Sequence, residues 1–366
     1  MWWRARERLA RALLALLAPL VFLALLEVAA GLGGVTPLAR DAEYRRLARA
    51  RGCRTSPVQA RNLCRPETLV PSRPKRVVAL GGSSVQGFPI GETTPFSEHL
   101  GLLLEAAHPG EYAVFNRGLF CKDSIYVRDC ARNVLAARPD YLVIYSGHND
   151  FGNWGYEVPR RRIFLEENAW IYELEQQLFR SRAVSMLKRG FDTLREALPR
   201  TNAELSEAHR ARSRTIIVDK FEANLLSVIE RAGDAGAEVI LVTVVSNLHE
   251  FPARRESWST WRGRAEGGAA GAARWVAPFA RGIDAFEQGR FEVALRAFKE
   301  ARDRYGRGRA PTELNERIRR LGERFAHVHV VDFERELDRR GAREGIGCNF
   351  FGSPTYCDQF HPNSHT

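Results

Sequence analysis

Five short apolar runs, separated by stretches of helical periodicity, constrain the fold of this chain more than any other feature of its sequence. The runs are Arg76 to Leu80, Tyr112 to Phe115, Tyr141 to Tyr145, Glu238 to Val245 and Val328 to Phe333. They are short for helices and largely lack the apolar/polar alternation of half-exposed strands, so they read as strands buried on both faces. Between them, Pro95 to Ala107, Tyr126 to Ala137, Lys220 to Ala232 and Thr312 to Phe325 carry apolar residues at helical spacing. Strand and helix in alternation predict an α/β fold: a doubly wound, three-layer α/β/α arrangement with about five parallel strands. With 366 residues and 45% hydrophobic composition, the chain can fill one large domain with insertions or two modest domains.

Two segments depart from the alternation and read as helical insertions. Residues 151–215 include the aromatic-rich stretch Trp170 to Phe179, and residues 253–311 include a run from Ala285 to Ala301. In that run, small residues at Ala285, Gly289, Ala294 and Ala301 with aromatics at Phe286, Phe291 and Phe298 resemble a tetratricopeptide-type hairpin. A single copy has no stacked neighbour, so the hairpin is expected to pack on the α/β domain or bind a protein partner; an ordinary helical hairpin fits the pattern equally. Trp154, Trp170, Trp258, Trp261 and Trp275 fall in or beside these insertions. Helical packing is the commoner use of such residues, lining of a sugar or acyl site the alternative. Residues 36–74, rich in Arg and Pro, read as a spacer before globular structure begins near Lys75.

The N-terminus bears on the compartment. Arg4, Arg6, Arg8 and Arg11 precede an uncharged stretch from Ala12 to Leu26, and after Glu27 the small apolar character resumes from Val28 to Val35. The whole has the length of a membrane span, and the leading arginines predict an N-in orientation with everything after about residue 35 exported. Hydrophobic length favours a retained anchor over residues 1–35; a cleaved signal peptide, with small residues Val28 and Ala30 before Gly31, is the alternative. A bacterial inner membrane with a periplasmic or extracellular domain is the expected location. Six cysteines suit an oxidising compartment, and sequence proximity suggests three local pairs: Cys53 with Cys64, Cys121 with Cys130, and Cys348 with Cys357. No C-x-x-C occurs, and His327 and His329 sit in a strand-like run, so no metal site is expected. The net charge of +11 is spread along the chain as Arg and is not gathered into basic runs interleaved with aromatics, which argues against nucleic acid as a partner.

Chemistry enters where strands end. The first run closes on Gly81-Gly82-Ser83-Ser84-Val85-Gln86-Gly87, a glycine-rich turn presenting hydroxyls at the carboxyl end of a strand, where open α/β sheets bind ligands. Such a turn also suits phosphate, but neither G-x-G-x-x-G nor the Walker lysine is present. A serine needs a base oriented by a third group, and Asp358-Gln-Phe-His361 places a carboxylate three residues before an imidazole on a probable loop. Donors for a developing oxyanion are expected from Gly118, in Phe115-Asn-Arg-Gly118 after the second strand, and from Asn149, in Ser146-Gly-His-Asn149-Asp150 after the third. Each of these residues also has an ordinary role in closing a strand.

In combination, Gly82-Ser83-x-x-x-Gly87, Asn116-x-Gly118, Gly147-His-Asn149-Asp150 and Asp358-x-x-His361 resemble the four blocks of the SGNH (GDSL-like) hydrolases, over residues 75–366. Tyr145 to Phe151, Ser246-Asn-Leu248 and Arg309-Ala-Pro311 further resemble a membrane-anchored bacterial branch with tetratricopeptide-like insertions. The resemblance implies a flavodoxin-like SGNH fold with Ser83 as nucleophile, His361 as base and Asp358 as its orienter. It also implies an oxyanion hole formed by Ser83, Gly118 and Asn149, and no cofactor. The implied activity is a serine esterase or acylhydrolase acting on an ester-bearing small molecule, glycan or lipid. An O-acyltransferase using the same site, and an inactive membrane-tethered interaction module, are the alternatives. Two departures stand out: Gly82 occupies a position where the family commonly has Asp, and the sequence ends five residues after His361, where the family usually continues into a helix. That ending suggests truncation. Ser84 is a second hydroxyl beside the first, and the spacing to Gly87 selects Ser83.

Overall fold

The computed structural model describes residues 18, 21–35, 37, 63–70, 72–87, 95–154, 174, 177–178, 180–197, 207–249, 273–305 and 309–343. The chain divides into two compact units, Met1–Gly52 with Phe164–Ala203, and Cys53–Ile163 with Glu204–Thr366.

The larger unit is built on five parallel strands: β1 (Lys75–Gly81), β2 (Tyr112–Gly118), β3 (Tyr141–Tyr145), β4 (Glu238–Val242) and β5 (Val328–Val331). Their order is β2-β1-β3-β4-β5, and every neighbouring pair is parallel. The helices of this unit are α1 (Ser83–Gln86), α2 (Phe96–Ala107), α3 (Ser124–Val134), α4 (His148–Trp154), α6 (Glu207–Ala235), α7 (Ala273–Glu287), α8 (Phe291–Tyr305), α9 (Thr312–Arg324) and α10 (Phe333–Arg343), with α5 (Arg182–Ala197) in the smaller unit. From β1 the chain steps outward to β2 through α2, then reverses and crosses back over β1 through α3 to reach β3. Because such crossovers are right-handed, this reversal places α2 on one face of the sheet and the later crossover helices on the other. Consistently, α6 packs on α3 and on α9. The reversal opens a crevice between the carboxyl ends of β1 and β3, where an open α/β sheet binds its ligand.

The central strands are buried as their sequences predict. In β1, residues from Val77 to Gly81 are all buried, and Leu142, Val143 and Ile144 of β3 are at most 5% exposed. At the sheet edge, β5 leaves His329 and Val331 exposed, and His329 meets Glu238 of β4 across the last pair at 2.8 Å. Three strand ends differ from the sequence reading by two residues or more, β5 closing at Val331 and not at Phe333. The second strand runs on to Gly118, pairing Asn116 with Ala79 and Gly118 with Gly81, so these residues lie within the ladder and not after it. The fourth stops at Val242: the Thr243 amide still reaches the Val331 carbonyl at 3.1 Å, but after it Val244 N–H donates to Asn315 Oδ1 at 2.9 Å and Val245 N–H to the Tyr145 hydroxyl at 3.3 Å.

The predicted cysteine pairing is corrected by the structure: Cys64 is bonded to Cys130, 66 residues away, with Cα atoms 5.1 Å apart. This excludes both Cys53–Cys64 and Cys121–Cys130. Cys121 precedes α3 and Cys130 lies nearly two turns into it, so the helical rise of ~1.5 Å per residue separates them beyond the reach of a disulfide. Cys121 is itself disulfide-bonded. Cys53, Cys348 and Cys357 lie outside the described residues.

The run expected to form a hairpin does so as α7 and α8, joined through Gly289 at φ +70°. Its aromatics pack against one another: Trp275 on Tyr305 at 5.6 Å, Phe279 on Phe298 at 5.2 Å and Phe286 on Phe291 at 5.6 Å between ring centroids. Trp275 is thereby committed to the core of the hairpin, and Trp170, Trp258 and Trp261 lie outside the described residues. In the smaller unit, residues 21–32 are helical and Glu27 reaches the start of α5, its carboxylate accepting from the Arg182 and Ala183 amides, each at 2.9 Å, and from the Ser181 hydroxyl at 2.6 Å. Among the described residues, no helix is long and apolar enough to cross a membrane.

Candidate active site

Strand β1 ends at Gly81, Gly82 forms the N-cap, and Ser83 opens α1, a four-residue helix closed by Gly87 at φ 103°. Ser83 is 6% exposed, and with Ser84 it lines a cleft shared with Gly82, Lys122, Tyr145, Ser146, Gly147, His148, Asn149 and Val244. These residues come from the ends of β1, β3 and β4 and from the loop after β2, at the crevice the topology predicts.

Asn149 enters this cleft from the start of α4, and its placement explains Gly82. One of the two amide N–H groups of Asn149 is donated to the Lys122 carbonyl at 2.8 Å, leaving a second donor on the same nitrogen. A β-carbon at position 82 would lie 2.6 Å from Asn149 Nδ2 and 2.9 Å from the Lys122 oxygen, closer than real β-carbons approach. At the position where the resembled family commonly carries Asp, any side chain would force the Asn149 amide or the Lys122 carbonyl to shift, because they occupy that space.

Asp150 anchors the same segment from below. Fully buried, it accepts from the Ser124 hydroxyl at 2.5 Å and from the Ser124 amide at 3.3 Å, while Asn224 Nδ2 donates to Ser124 Oγ at 2.9 Å. Burial, and then the neighbouring Asp123 carboxylate, push the Asp150 carboxyl well above the usual range. Asn149 and Asp150 together clamp the loop 122–124 onto α4, which orients the Asn149 amide.

The second donor expected from sequence is placed differently. Gly118 N–H is donated to Asn116 Oδ1 at 2.7 Å, while Asn116 Nδ2 donates to the Val85 carbonyl at 2.7 Å. A β-carbon on Gly118 would fall 2.2 Å from Gln86 N and 2.5 Å from Val85 C. Asn116 and Gly118 therefore brace the serine turn against β2. In this structure the Gly118 amide is engaged by Asn116, and Gly118 does not line the cleft.

His148 is the one imidazole among the described cleft-lining residues, and its bonds settle its tautomer. The Ala310 amide donates to Nδ1 at 3.1 Å, so Nε2 carries the proton that it donates to the Val245 carbonyl at 2.9 Å. Both ring nitrogens are used in tying the end of β3 to the end of β4 and to the turn before α9, so His148 is a brace and not a base for Ser83. Burial, partly offset by the Val245 amide, raises the Tyr145 phenol to about 12, and it stays a neutral acceptor under the cleft. In the sequence His148 and Tyr145 stand out only as parts of a block; their roles depend on Val245 and Ala310, far away in sequence. Asp358 and His361 lie outside the described residues.

No family model matches the chain, and no curated protein matches it. Solved structures similar to it include a GDSL-like lipase from Bacteroides thetaiotaomicron, at 16% identity over 89% of this chain and 90% of that one, with a TM-score of 0.35. An acetyl xylan esterase, AlAXEase, aligns at 12% identity over 79% and 92%, with a TM-score of 0.39. A member of the lipolytic G-D-S-L family from Veillonella parvula aligns at 11% identity over 80% and 91%, with a TM-score of 0.36.

Proposed function

We propose that the chain is a serine esterase or acylhydrolase of the SGNH type, working through an acyl-enzyme on Ser83. The observation that carries this is the convergence of Ser83 and the Asn149 amide on one cleft, made possible by a glycine at position 82 that the amide's approach requires. His361 takes the Ser83 proton as Ser83 attacks the ester carbonyl, Asp358 holds the imidazole, and the leaving alcohol receives the proton. The oxyanion is held by the Ser83 amide and Asn149, with the Gly118 amide joining when it exchanges Asn116 for the oxyanion. Water, giving its proton to the same base, then attacks the acyl carbonyl; the bond to Ser83 Oγ breaks, the acid leaves and Ser83 recovers the proton. With His148 bonded at both nitrogens, the role of base is assigned to His361 of the Asp358-x-x-His361 pattern.

The same reading puts the site outside the cytoplasm, tethered by an anchor within residues 1–35. The arginine-led apolar stretch supports this, as does the Cys64–Cys130 bond, which belongs to an oxidising compartment. Glycan O-acetyl groups and longer acyl esters are the substrate classes to compare. The test is hydrolysis of p-nitrophenyl esters of increasing acyl length by the wild type, Ser83→Ala and Ser84→Ala, each checked for folding by circular dichroism. Activity falling to background in Ser83→Ala and surviving in Ser84→Ala supports the assignment; the reverse moves the nucleophile to Ser84, and a folded wild type without esterase activity rejects the function.

A further inference from the structure

The smaller unit carries exposed apolar stripes on both of its helical segments. Along residues 21–32, Val21, Leu25, Val28 and Leu32 are 56%, 65%, 61% and 86% exposed, at steps of four, three and four. Along α5, Leu187, Phe191 and Leu194 are 55%, 62% and 61% exposed. At ~100° per residue these three side chains fall within about 60° of arc. Opposite the α5 stripe Ser185 is buried; on residues 21–32 Ala30 is buried, while Phe22 and Leu23, 63% and 42% exposed, carry the apolar exposure further around that segment.

Glu27 joins the two segments. A carboxylate in so apolar a stretch is costly unless its charge is met, and this one takes up the first two amides of α5 and the Ser181 hydroxyl, while the Val184 amide bonds Ser181 Oγ at 3.2 Å. The amides at the start of α5 that have no partner within a helix are thus satisfied, and the negative charge sits at the favourable end of the helix. Glu27 therefore docks α5 onto the apolar segment and does not merely interrupt it.

We propose that α5 lies at the lipid–water interface beside the N-terminal segment, with Leu187, Phe191 and Leu194 among the acyl chains and its start fixed by Glu27. This rests on the membrane-anchor reading above. A bilayer is the occupant that covers both stripes at once, and one of them continues the arginine-led apolar stretch. Arg180, Arg182, Lys188 and Arg189 on and beside α5 suit anionic headgroups, the composition of an interfacial amphipathic helix.

The test uses the full chain in vesicles of phosphatidylethanolamine and phosphatidylglycerol doped with a phosphatidylcholine bearing a diazirine in its acyl chain. Flotation reads membrane attachment; illumination and peptide mass spectrometry read which side chains meet lipid. Co-flotation with lipid adducts on both 21–32 and 187–194 is expected. In L187Q/F191Q/L194Q, changed only at exposed positions, flotation and the 21–32 adducts persist and those on α5 disappear. Glu27→Ala, which removes the dock, lowers the α5 adducts while those on 21–32 remain. Flotation with adducts confined to the N-terminal segment overturns this proposal and leaves the anchor standing, as does an α5 protected by a second copy of the chain. Failure to float overturns the anchor reading and the proposal with it.

Discussion

Replacing Gly82 by Ala tests how the cleft is assembled. The added methyl group would sit 2.6 Å from Asn149 Nδ2 and 2.9 Å from the Lys122 carbonyl oxygen. The oxygen is backbone, in a loop held by the Lys122 amide on Leu119 and by Ser124 on Asp150, so the amide is the group that yields. An ordinary contact begins at 3.4 Å, and the move from 2.6 to 3.4 Å displaces Asn149 by 0.8 Å. A misplacement of ~1 Å in a catalytic constellation costs ~100-fold in rate, and complete loss of an oxyanion donor costs ~100- to 1,000-fold, so the expected loss lies near ~100-fold. Overpacking adds a stability cost of ~1–3 kcal/mol. The assay is p-nitrophenyl acetate hydrolysis with kcat and KM resolved, alongside a thermal melt. The loss should fall on kcat with KM nearly unchanged, since the oxyanion forms only in the transition state. Gly82→Asp should be worse than Gly82→Ala, although Asp is what the resembled family commonly carries there. A Gly82→Ala enzyme that melts lower but turns over at the wild-type rate would refute the placement of Asn149 as an oxyanion donor.

Asn149→Ala should lower turnover by ~100-fold or more without abolishing it, and undiminished kcat would remove Asn149 from the chemistry. Glu334→Gln should cost ~3–5 kcal/mol, read from denaturant melts, because Glu334 is 2% exposed and meets Arg319 at 2.8 Å, Lys299 at 3.3 Å and Arg302 at 3.6 Å. Burial raises the Glu334 carboxyl, but the cations, Arg302 foremost, prevail and hold it at about 2 against an ordinary 4.5. Its stabilisation is therefore fully present above pH 4.5 and lost as the pH falls from there towards 2, a dependence that Glu334→Gln should lack. Cys64→Ser with Cys130→Ser opens a cross-link spanning 66 residues, which chain entropy values at ~4 kcal/mol; an unchanged melting temperature under oxidising conditions would contradict the pairing.

The sheet was legible because each buried strand spells itself in a run of apolar residues, and Val77 to Leu80 could scarcely be anything else. What escaped was set by groups distant in sequence. The fourth strand looked longer than it is because Val244 and Val245 are apolar, but their amides are claimed by Asn315 and Tyr145. The cysteine pairs looked local because nearness along the chain is all a sequence displays, whereas α3 carries Cys130 away from Cys121 and towards Cys64. At the site, strand ends and motif spacing single out Ser83 and Asn149, and both line the cleft. The reason for Gly82 was not readable, since it depends on an amide 67 residues later (82 to 149) coming within 2.6 Å. Nor was the brace formed by Asn116 on the Gly118 amide, which occupies that donor in this structure.

The central claim, that Ser83 is an activated nucleophile, is tested most directly by fluorophosphonate labelling of the full chain followed by peptide mass spectrometry. The predicted result is one phosphonyl adduct on Ser83, absent in Ser83→Ala, retained in Ser84→Ala and strongly slowed in His361→Ala. A folded protein that takes no label, or one labelled on Ser84 alone, would contradict it.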